Sequence, residues 1–527
     1  MAEFDGPARP DVRLVLPNLV RNLAQEDPDR IFLRDVEGAA LSYGDVHRRA
    51  TAWAASLRGS GVGDGDRVAT VFATTIEGVI AWLACCYNRA ISVPLNTAYR
   101  GPLLQHALDL TEPAALLVDE QFAGNFEDIR LPPHTRVYVQ SGPDGPLATP
   151  FPRAGDLRDL DSPDAQAVRD TPLDYVHSWT DCPALTFTSG TTGRSKAVVL
   201  QWLQVYKMAV HTCKTEYAGP HEVVYIPWPL NHISGTGCVY GAALAKGVAL
   251  LRRKWSTSSF MADVHRFRCT FTVLMGEMTR YVSTMDLPDG DPCPIERFYA
   301  VPSNPDLQPL ADRLGAWYTT SYNSTEQSTL IVSPGRDPVP VGAAGKIRPG
   351  AEFRVVAPDG SDVEPGQVGE LLTRTTDPAE MFAGYWNMPD ATATATAGGW
   401  YHTGDAVRVD PDGYIHFLER MGDRLRHRGE NVSPFDVEVV LDSHPQVTRS
   451  AVVGIPSVQY GEDDIVAFVV TESPDLDPAT LLAYARHHLP KFMVPAQLHL
   501  TDTLPQTPTG KIQRGELRRG LLEELEK

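Results

Sequence analysis

From Val12 to Val118 the apolar positions switch between two spacings. Tyr43 to Arg58 carries them at helical intervals, Arg67-Val68-Ala69-Thr70-Val71-Phe72 is a short apolar run, and Ile76 to Tyr87 is helical again. Strand-like runs separated by helices predict parallel sheets with helices on their faces. A second such region runs from Ala184 to about Ala300, with Val248–Leu251 and Thr272–Leu274 as strands. Between the two, the Pro/Gly/Asp-rich stretch from Gln140 to Asp174 reads as loop. From Gly342 to Phe417 the pattern changes to short strands broken by turns such as Pro358-Asp359-Gly360 and Pro411-Asp412-Gly413, a β-rich signature. Ala391 to Ala397, an Ala/Thr run, also reads as loop. Beyond it, Pro434 to Ser443 and Leu481 to His488 are helical, while Arg449–Gly454 and Ile465–Val470 read as strands.

These elements predict an α/β chain. A large N-terminal domain over 1–419, built of stacked α/β subdomains plus a β-rich subdomain, is followed by a hinge at 420–423 and a small mobile α+β C-terminal domain over 424–527. A chain of 527 residues exceeds what one core supports. Its 47 basic against 66 acidic side chains give a net charge of −19, which argues against a nucleic-acid or anionic-membrane surface. Any anionic substrate must therefore be met by local charge. The seven cysteines are scattered without a Cys-x-x-Cys pair, so neither a zinc site nor a disulfide framework is expected, and Cys85-Cys86 read as buried free thiols. With no signal peptide at Met1 to Gly6 and no apolar stretch of spanning length, a reducing cytoplasm is the expected compartment.

Chemistry concentrates in Thr188-Ser189-Gly190-Thr191-Thr192-Gly193-Arg194-Ser195-Lys196. Glycines let successive N–H groups turn inward around an anion, hydroxyls add donors, and Lys196 adds a point charge. Apolar Pro183–Phe187 and Ala197–Leu200 hold the loop between ordered segments, and its spacing is not that of a P-loop. Further motifs follow: Tyr322-Asn323-Ser324-Thr325-Glu326, Gly384-Tyr385-Trp386, Tyr401-His402-Thr403-Gly404-Asp405, Arg420 with Arg428-Gly429-Glu430-Asn431, and Pro508-Thr509-Gly510-Lys511. In kind and order these segments resemble the AMP-forming acyl-CoA synthetase, adenylation-domain and luciferase superfamily, over nearly the whole chain from Leu41 to Arg514.

The resemblance implies that ATP and Mg²⁺ are used to activate a carboxylic acid as acyl-AMP, with CoA as the next substrate. It implies that Thr188, Ser189, Gly190, Thr191, Thr192, Gly193 and Lys196 cradle the β- and γ-phosphates, and that Glu326 with Thr188 serves Mg²⁺. Asn323 would belong to the nucleotide site, Thr325 would meet the α-phosphate, Tyr322 the adenine, Asp405 both ribose hydroxyls, and Arg420 the ribose or phosphate. Trp386 is read as packing. Lys511 would stabilise charge at the α-phosphate in the transition state, Gly422 would stand at the hinge where relatives carry Asp or Lys, and Gly429 and Glu430 would line the acceptor tunnel.

His232 matches an aromatic or histidine gate beside the acid. It either polarises the acid or walls the pocket, and a core histidine satisfied by backbone is the plainer alternative. Several positions depart from the pattern. Ser195 stands for the customary proline and Ala197 for glycine; Glu277-Met278 replace an apolar residue and proline; Val301-Pro302-Ser303-Asn304 replaces a small-residue loop. These changes predict a polar acid site including His232, Glu277, Ser303 and Asn304, although Glu277 pointing to solvent is an equal alternative. Val93 to Gly101 is similar to carnitine/crotonobetaine-type CoA ligases. Two classes follow: a CoA ligase for a small or polar acid, or an adenylating enzyme with another acceptor or acid, such as an amide ligase or a diazotase activating nitrite for an aryl amine. A homo-oligomer remains open.

Overall fold

The computed structural model describes residues 9–140, 150–151, 153–188, 195–275, 278–285, 292–301, 303–420, 425–428, 430–457, 462–505 and 512–525. Of the site residues named above, Ser189, Gly190, Thr191, Thr192, Gly193, Glu277, Gly422, Gly429 and Lys511 lie outside the described residues, as does the side chain of Arg420.

The alternating regions build two largely parallel sheets. One has seven strands in the order Trp317–Thr319, Arg297–Val301, Phe271–Met275, Val223–Ile226, Val248–Leu251, Ile31–Asp35 and Ala40–Ser42, antiparallel only at the last pair. The other has five parallel strands in the order Ile91–Pro94, Arg67–Val71, Ala115–Asp119, Arg136–Gln140 and Gly155–Asp156. Helix Tyr43–Gly59 starts where Ser42 and Asp45 close a reciprocal capping box, and Ile76–Tyr87 starts at Thr75, whose hydroxyl accepts from Gly78 N–H. Both helices bury their apolar faces in the core shared by the sheets, where Trp53, Val79, Ile80 and Trp202 are essentially inaccessible. Each such side chain adds roughly 1.5–3 kcal/mol relative to exposure. Cys85 and Cys86 sit in this core as free thiols.

The β-rich region is a seven-stranded antiparallel sheet in the order Ser321–Ser324, Gln327–Val332, Ala343–Ile347, Ile415–Arg420, Tyr401–Val409, Val368–Thr375 and Ala351–Val356. Two loop expectations are corrected. Within Gln140 to Asp174, the strand Gly155–Asp156, the 3-10 turns Leu157–Asp161 and the helix Ala165–Asp170 form because Asp156 and Asp164 cap them and Leu157, Leu160 and Ala167 find buried places. The Ala/Thr run is mostly helix, Pro389–Ala395, started by proline in its first turn and carried by alanines.

The C-terminal unit is α+β: strands Arg449–Pro456, Asp463–Val470 and Gln497–Thr501 with helices Pro434–Asp442, Pro478–His488 and Arg514–Leu525. It docks on helix Gly101–Thr111 of the N-terminal part. Leu103 joins the buried cluster of Val437, Val440, Leu441, Val452 and Ile465, with Tyr99 packed against it. A polar contact completes the seam. Ser195 Oγ donates to Asp436 Oδ2 at 2.6 Å, Ser195 N–H approaches Oδ1 at 3.4 Å, and His106 Nε2 donates to the Ser195 carbonyl at 2.8 Å. Proline at 195 would have supplied neither the hydroxyl nor the N–H. Ser195→Ala should therefore move the equilibrium between docked and undocked C-terminal units by about tenfold or more, since a hydrogen bond to a charged group is worth about 1.5–3 kcal/mol. Interdomain energy transfer or small-angle scattering measures the distribution; an unchanged one would mean that the apolar contact alone holds the unit.

Candidate functional site

The phosphate-loop hairpin is a two-stranded unit, Leu185–Thr188 against Lys196–Val199, in which Thr188 and Lys196 are direct partners across the ladder. The register brings both chemistry-bearing ends of the loop to one place. The outer edge of Lys196–Val199 is covered by residues 383–386. Ala383 N–H donates to Val199 O at 2.9 Å, Val199 N–H to Gly384 O at 2.9 Å, and Trp386 N–H to Ala197 O at 2.8 Å. Gly384 has φ +129 and a Cβ there would meet Thr392 at 3.1 Å, so glycine is the residue the docking admits. Trp386 packs, as expected, with the Arg67 guanidinium over its ring at 5.7 Å.

Glu326 lies at the tip of the hairpin between Ser321–Ser324 and Gln327–Val332. Its backbone is tied down by Phe382 N–H to Glu326 O at 2.9 Å, and Gln204 Nε2 donates to Thr325 O at 2.7 Å. The Glu326 carboxylate is 2% exposed; its Oε1 accepts from Tyr385 Oη at 3.0 Å and lies 3.5 Å from Thr188 Oγ1. Lys196 Nζ stands over the Tyr385 ring, 4.8 Å from its centroid. Thr188, Lys196 and Glu326 are thus gathered as expected, and Tyr385 joins them without having been singled out. Its only signal was its place in Gly384-Tyr385-Trp386.

Asp405 is fully buried on strand Tyr401–Val409, directly opposite Arg420 on Ile415–Arg420. Its Oδ2 accepts from Tyr322 Oη, and its N–H donates to Thr403 Oγ1 at 3.1 Å. Tyr322 and Asp405, 83 residues apart, are therefore one unit. Beside Tyr322, Asn323 Oδ1 and Ser324 Oγ are buried with no hydrogen-bond partner among the described residues. Buried polar atoms are normally paired, so these two fit a nucleotide that supplies N–H and O–H groups. The donor set also fits Mg²⁺. Thr188 and Glu326 offer hard oxygens, and with no cluster of three or more acidic, His or Cys side chains among the described residues, phosphate oxygens and water would complete the shell.

At the acid end, His232 caps helix Ile233–Leu244. Its Nδ1 accepts from Ser234 N–H at 3.1 Å and lies 2.6 Å from Ser234 Oγ, which assigns the neutral ring's proton to Nε2. His232 is exposed at the helix start, yet the protein packed around it lowers its pKa to about 4 by desolvation, so it is neutral at pH 7. On strands Arg297–Val301 and Ser321–Ser324, Tyr299 Oη and Ser321 Oγ form a buried pair at 2.7 Å. Ser303 donates to Pro340 O at 3.4 Å, and Asn304 Oδ1 accepts from Asp306 N–H at 2.9 Å ahead of helix Leu307–Leu314, so both contribute to building their loop. Glu430 is exposed on the two-stranded hairpin Leu425–His427 and Glu430–Val432. The hairpin faces the N-terminal part closely enough that Glu430 raises the Tyr99 phenol's pKa and Arg426 lowers that of Tyr299, each a lesser effect than the desolvation that raises both.

Comparison with known proteins places this geometry. Residues 20–386 match the AMP-binding enzyme family and residues 436–511 match the AMP-binding enzyme C-terminal domain. Feruloyl-CoA synthase from an Amycolatopsis species is 30% identical over 490 residues, spanning 92% of this chain and 94% of that protein. Among solved structures, o-succinylbenzoate CoA synthetase (MenE) from Bacillus subtilis, bound to its product analogue OSB-NCoA, superposes with a TM-score of 0.80 at 24% identity, over 95% of this chain and 98% of that one. Amide bond synthetase McbA from Marinactinospora thermotolerans superposes with a TM-score of 0.79 at 25% identity, over 95% and 99%. Taken with the convergence of Thr188, Lys196, Glu326, Tyr322 and Asp405, these matches establish that the chain belongs to the AMP-binding enzymes, the adenylate-forming ligases that use ATP and Mg²⁺.

Proposed function

We propose that the protein activates a small or polar carboxylic acid as its acyl-adenylate, releasing pyrophosphate, and then transfers the acyl group to the thiol of CoA. The observation that carries this reading is the single cluster in which Thr188, Lys196 and Glu326 meet beside the Tyr322–Asp405 pair. In the first step the acid carboxylate attacks the α-phosphorus and the pyrophosphate oxygens take up charge. Lys196 and the loop donors from Ser189 to Gly193 receive that charge, and Asp405 holds the ribose hydroxyls so that the α-phosphate is presented in line. Glu326 and Thr188 would hold Mg²⁺, which neutralises charge on the phosphates. Lys511, carried by the C-terminal domain, acts on charge that appears only in the transition state. His232 presents Nε2–H to the acid as a neutral donor, and Gly429 and Glu430 flank the path of the acceptor.

Support for a polar acid comes from His232, whose Nε2–H is left to donate. Support for CoA comes from the likeness to feruloyl-CoA synthase. A second reading, an amine acceptor with either a carboxylic acid or nitrite as the activated acid, is favoured by the likeness to McbA and by the exposed Glu430 carboxylate on the acceptor side, which suits an amine. A reducing cytoplasm suits seven free cysteines, and no helix among the described residues is long and apolar enough to cross a membrane.

Pyrophosphate release across a panel of acids that includes nitrite, with and without CoA and with candidate amines, tests the reading. Acceleration by CoA with a polar acid is expected, whereas turnover that needs an amine and ignores CoA selects the second reading. Asp405→Ala should weaken ATP binding by at least about tenfold, because a charged acceptor shared by two hydroxyls is lost. Unchanged calorimetric affinity would place the ribose elsewhere. Lys511→Ala should abolish most adenylate formation while pre-formed acyl-adenylate is still consumed; near-normal pyrophosphate release would remove Lys511 from the first step.

A further inference from the structure

We propose that Tyr385 is a positioning residue of the phosphate and magnesium site: its hydroxyl aims the Glu326 carboxylate while its ring face seats the Lys196 ammonium. The inference rests on the assignment of Glu326 to Mg²⁺ and of Lys196 to phosphate, and adds a residue to that machinery. One side chain makes both contacts, Oη to Glu326 Oε1 at 3.0 Å and ring centroid to Lys196 Nζ at 4.8 Å.

The chemistry explains why a phenol belongs here. A buried carboxylate and an ammonium that share one side-chain neighbour would gain by pairing directly, and a directly paired Glu326 and Lys196 would be lost to metal and phosphate alike. Tyr385 offers each charge a neutral partner instead, an O–H donor for the anion and a π-face for the cation. Neither partner is so strong that a nucleotide could not replace or share it. The ring is also fixed. Tyr385 is 8% exposed, forms an antiparallel bridge with Val198 two residues from Lys196, donates its N–H to Thr392 Oγ1 at 2.9 Å, and packs edge-on against Phe382 with centroids 5.0 Å apart. A merely structural tyrosine would need the ring but not a hydroxyl directed at Glu326.

Calorimetric titration with α,β-methylene-ATP, a nucleotide whose scissile link is blocked, across a range of Mg²⁺ concentrations separates these roles. In Tyr385→Phe the ring and its seat for Lys196 remain, so Mg²⁺-free nucleotide affinity should stay at the wild-type value. The Mg²⁺ concentration that half-saturates the enhancement of binding should rise about tenfold, the worth of one hydrogen bond to a charged group. The apparent KM for Mg²⁺ in pyrophosphate release should rise in parallel. Tyr385→Leu should in addition lower Mg²⁺-free affinity by several-fold, roughly the worth of one cation–π contact. Glu326→Gln is the control. If it shifts the Mg²⁺ dependence and Tyr385→Phe does not, the role assigned to Tyr385 is overturned; if Glu326→Gln also leaves the dependence unchanged, the underlying assignment of Glu326 falls with it.

Discussion

One short hairpin meets three other units of this molecule. Ala184, just before its first strand, bridges to Ser92 of the smaller parallel sheet, and through Ala197 and Val199 its second strand is paired to residues 383–386, which lead into the β-rich part. Thr188 reaches Glu326 on the antiparallel sheet, and Ser195 reaches Asp436 in the C-terminal unit. A two-stranded ribbon standing alone is marginal in water, and both its edges would carry unpaired backbone groups. Here the second strand's edge is satisfied by residues 383–386, while Leu185, Ala197 and Val198 are wholly buried. The register between Thr188 and Lys196 is therefore supported by the units assembled around the hairpin.

That arrangement resolves the electrostatic problem posed by a net charge of −19. A polyanion cannot be drawn in by the overall field, so cation and donors must be concentrated at one point. The ladder sets Lys196 opposite Thr188, and the segment docked on the same ladder brings Tyr385 between Lys196 and Glu326. Pairing of backbone thus decides which groups stand beside these charges, and among them is the neutral Tyr385.

Much of this was legible in the chain, for physical reasons that also explain what was not. Helix Ile76–Tyr87 and strand Val248–Leu251 were read correctly because their burial follows local periodicity. The gathering of Thr188, Lys196 and Glu326, and the pairing of Tyr322 with Asp405, were legible through the motifs that carry these residues, because binding a polyphosphate, a metal or a ribose would each call for a particular donor type. The helices within Gln140 to Asp174 and Ala391 to Ala397 were missed because short elements of small residues owe their form to a cap and a docking surface rather than to a pattern. Tyr385 was hidden for a different reason. Aromatic residues in such motifs usually pack, and only the three-dimensional position of its hydroxyl separates it from its neighbour Trp386, which does pack.

The contact between Ser195 and Asp436 spans 241 residues, and neither sequence neighbourhood announces the other. The departure from proline at 195 was visible as a change in loop stiffness; its consequence is a connection. With serine, the residue adjoining Lys196 acquires a partner in the unit that also carries the exposed Glu430 hairpin. Any displacement of that unit from this position would break a hydrogen bond one residue from Lys196. Proline at this position would leave the seam to apolar contacts such as those of Leu103 and Tyr99, without the hydroxyl and N–H that here reach Asp436.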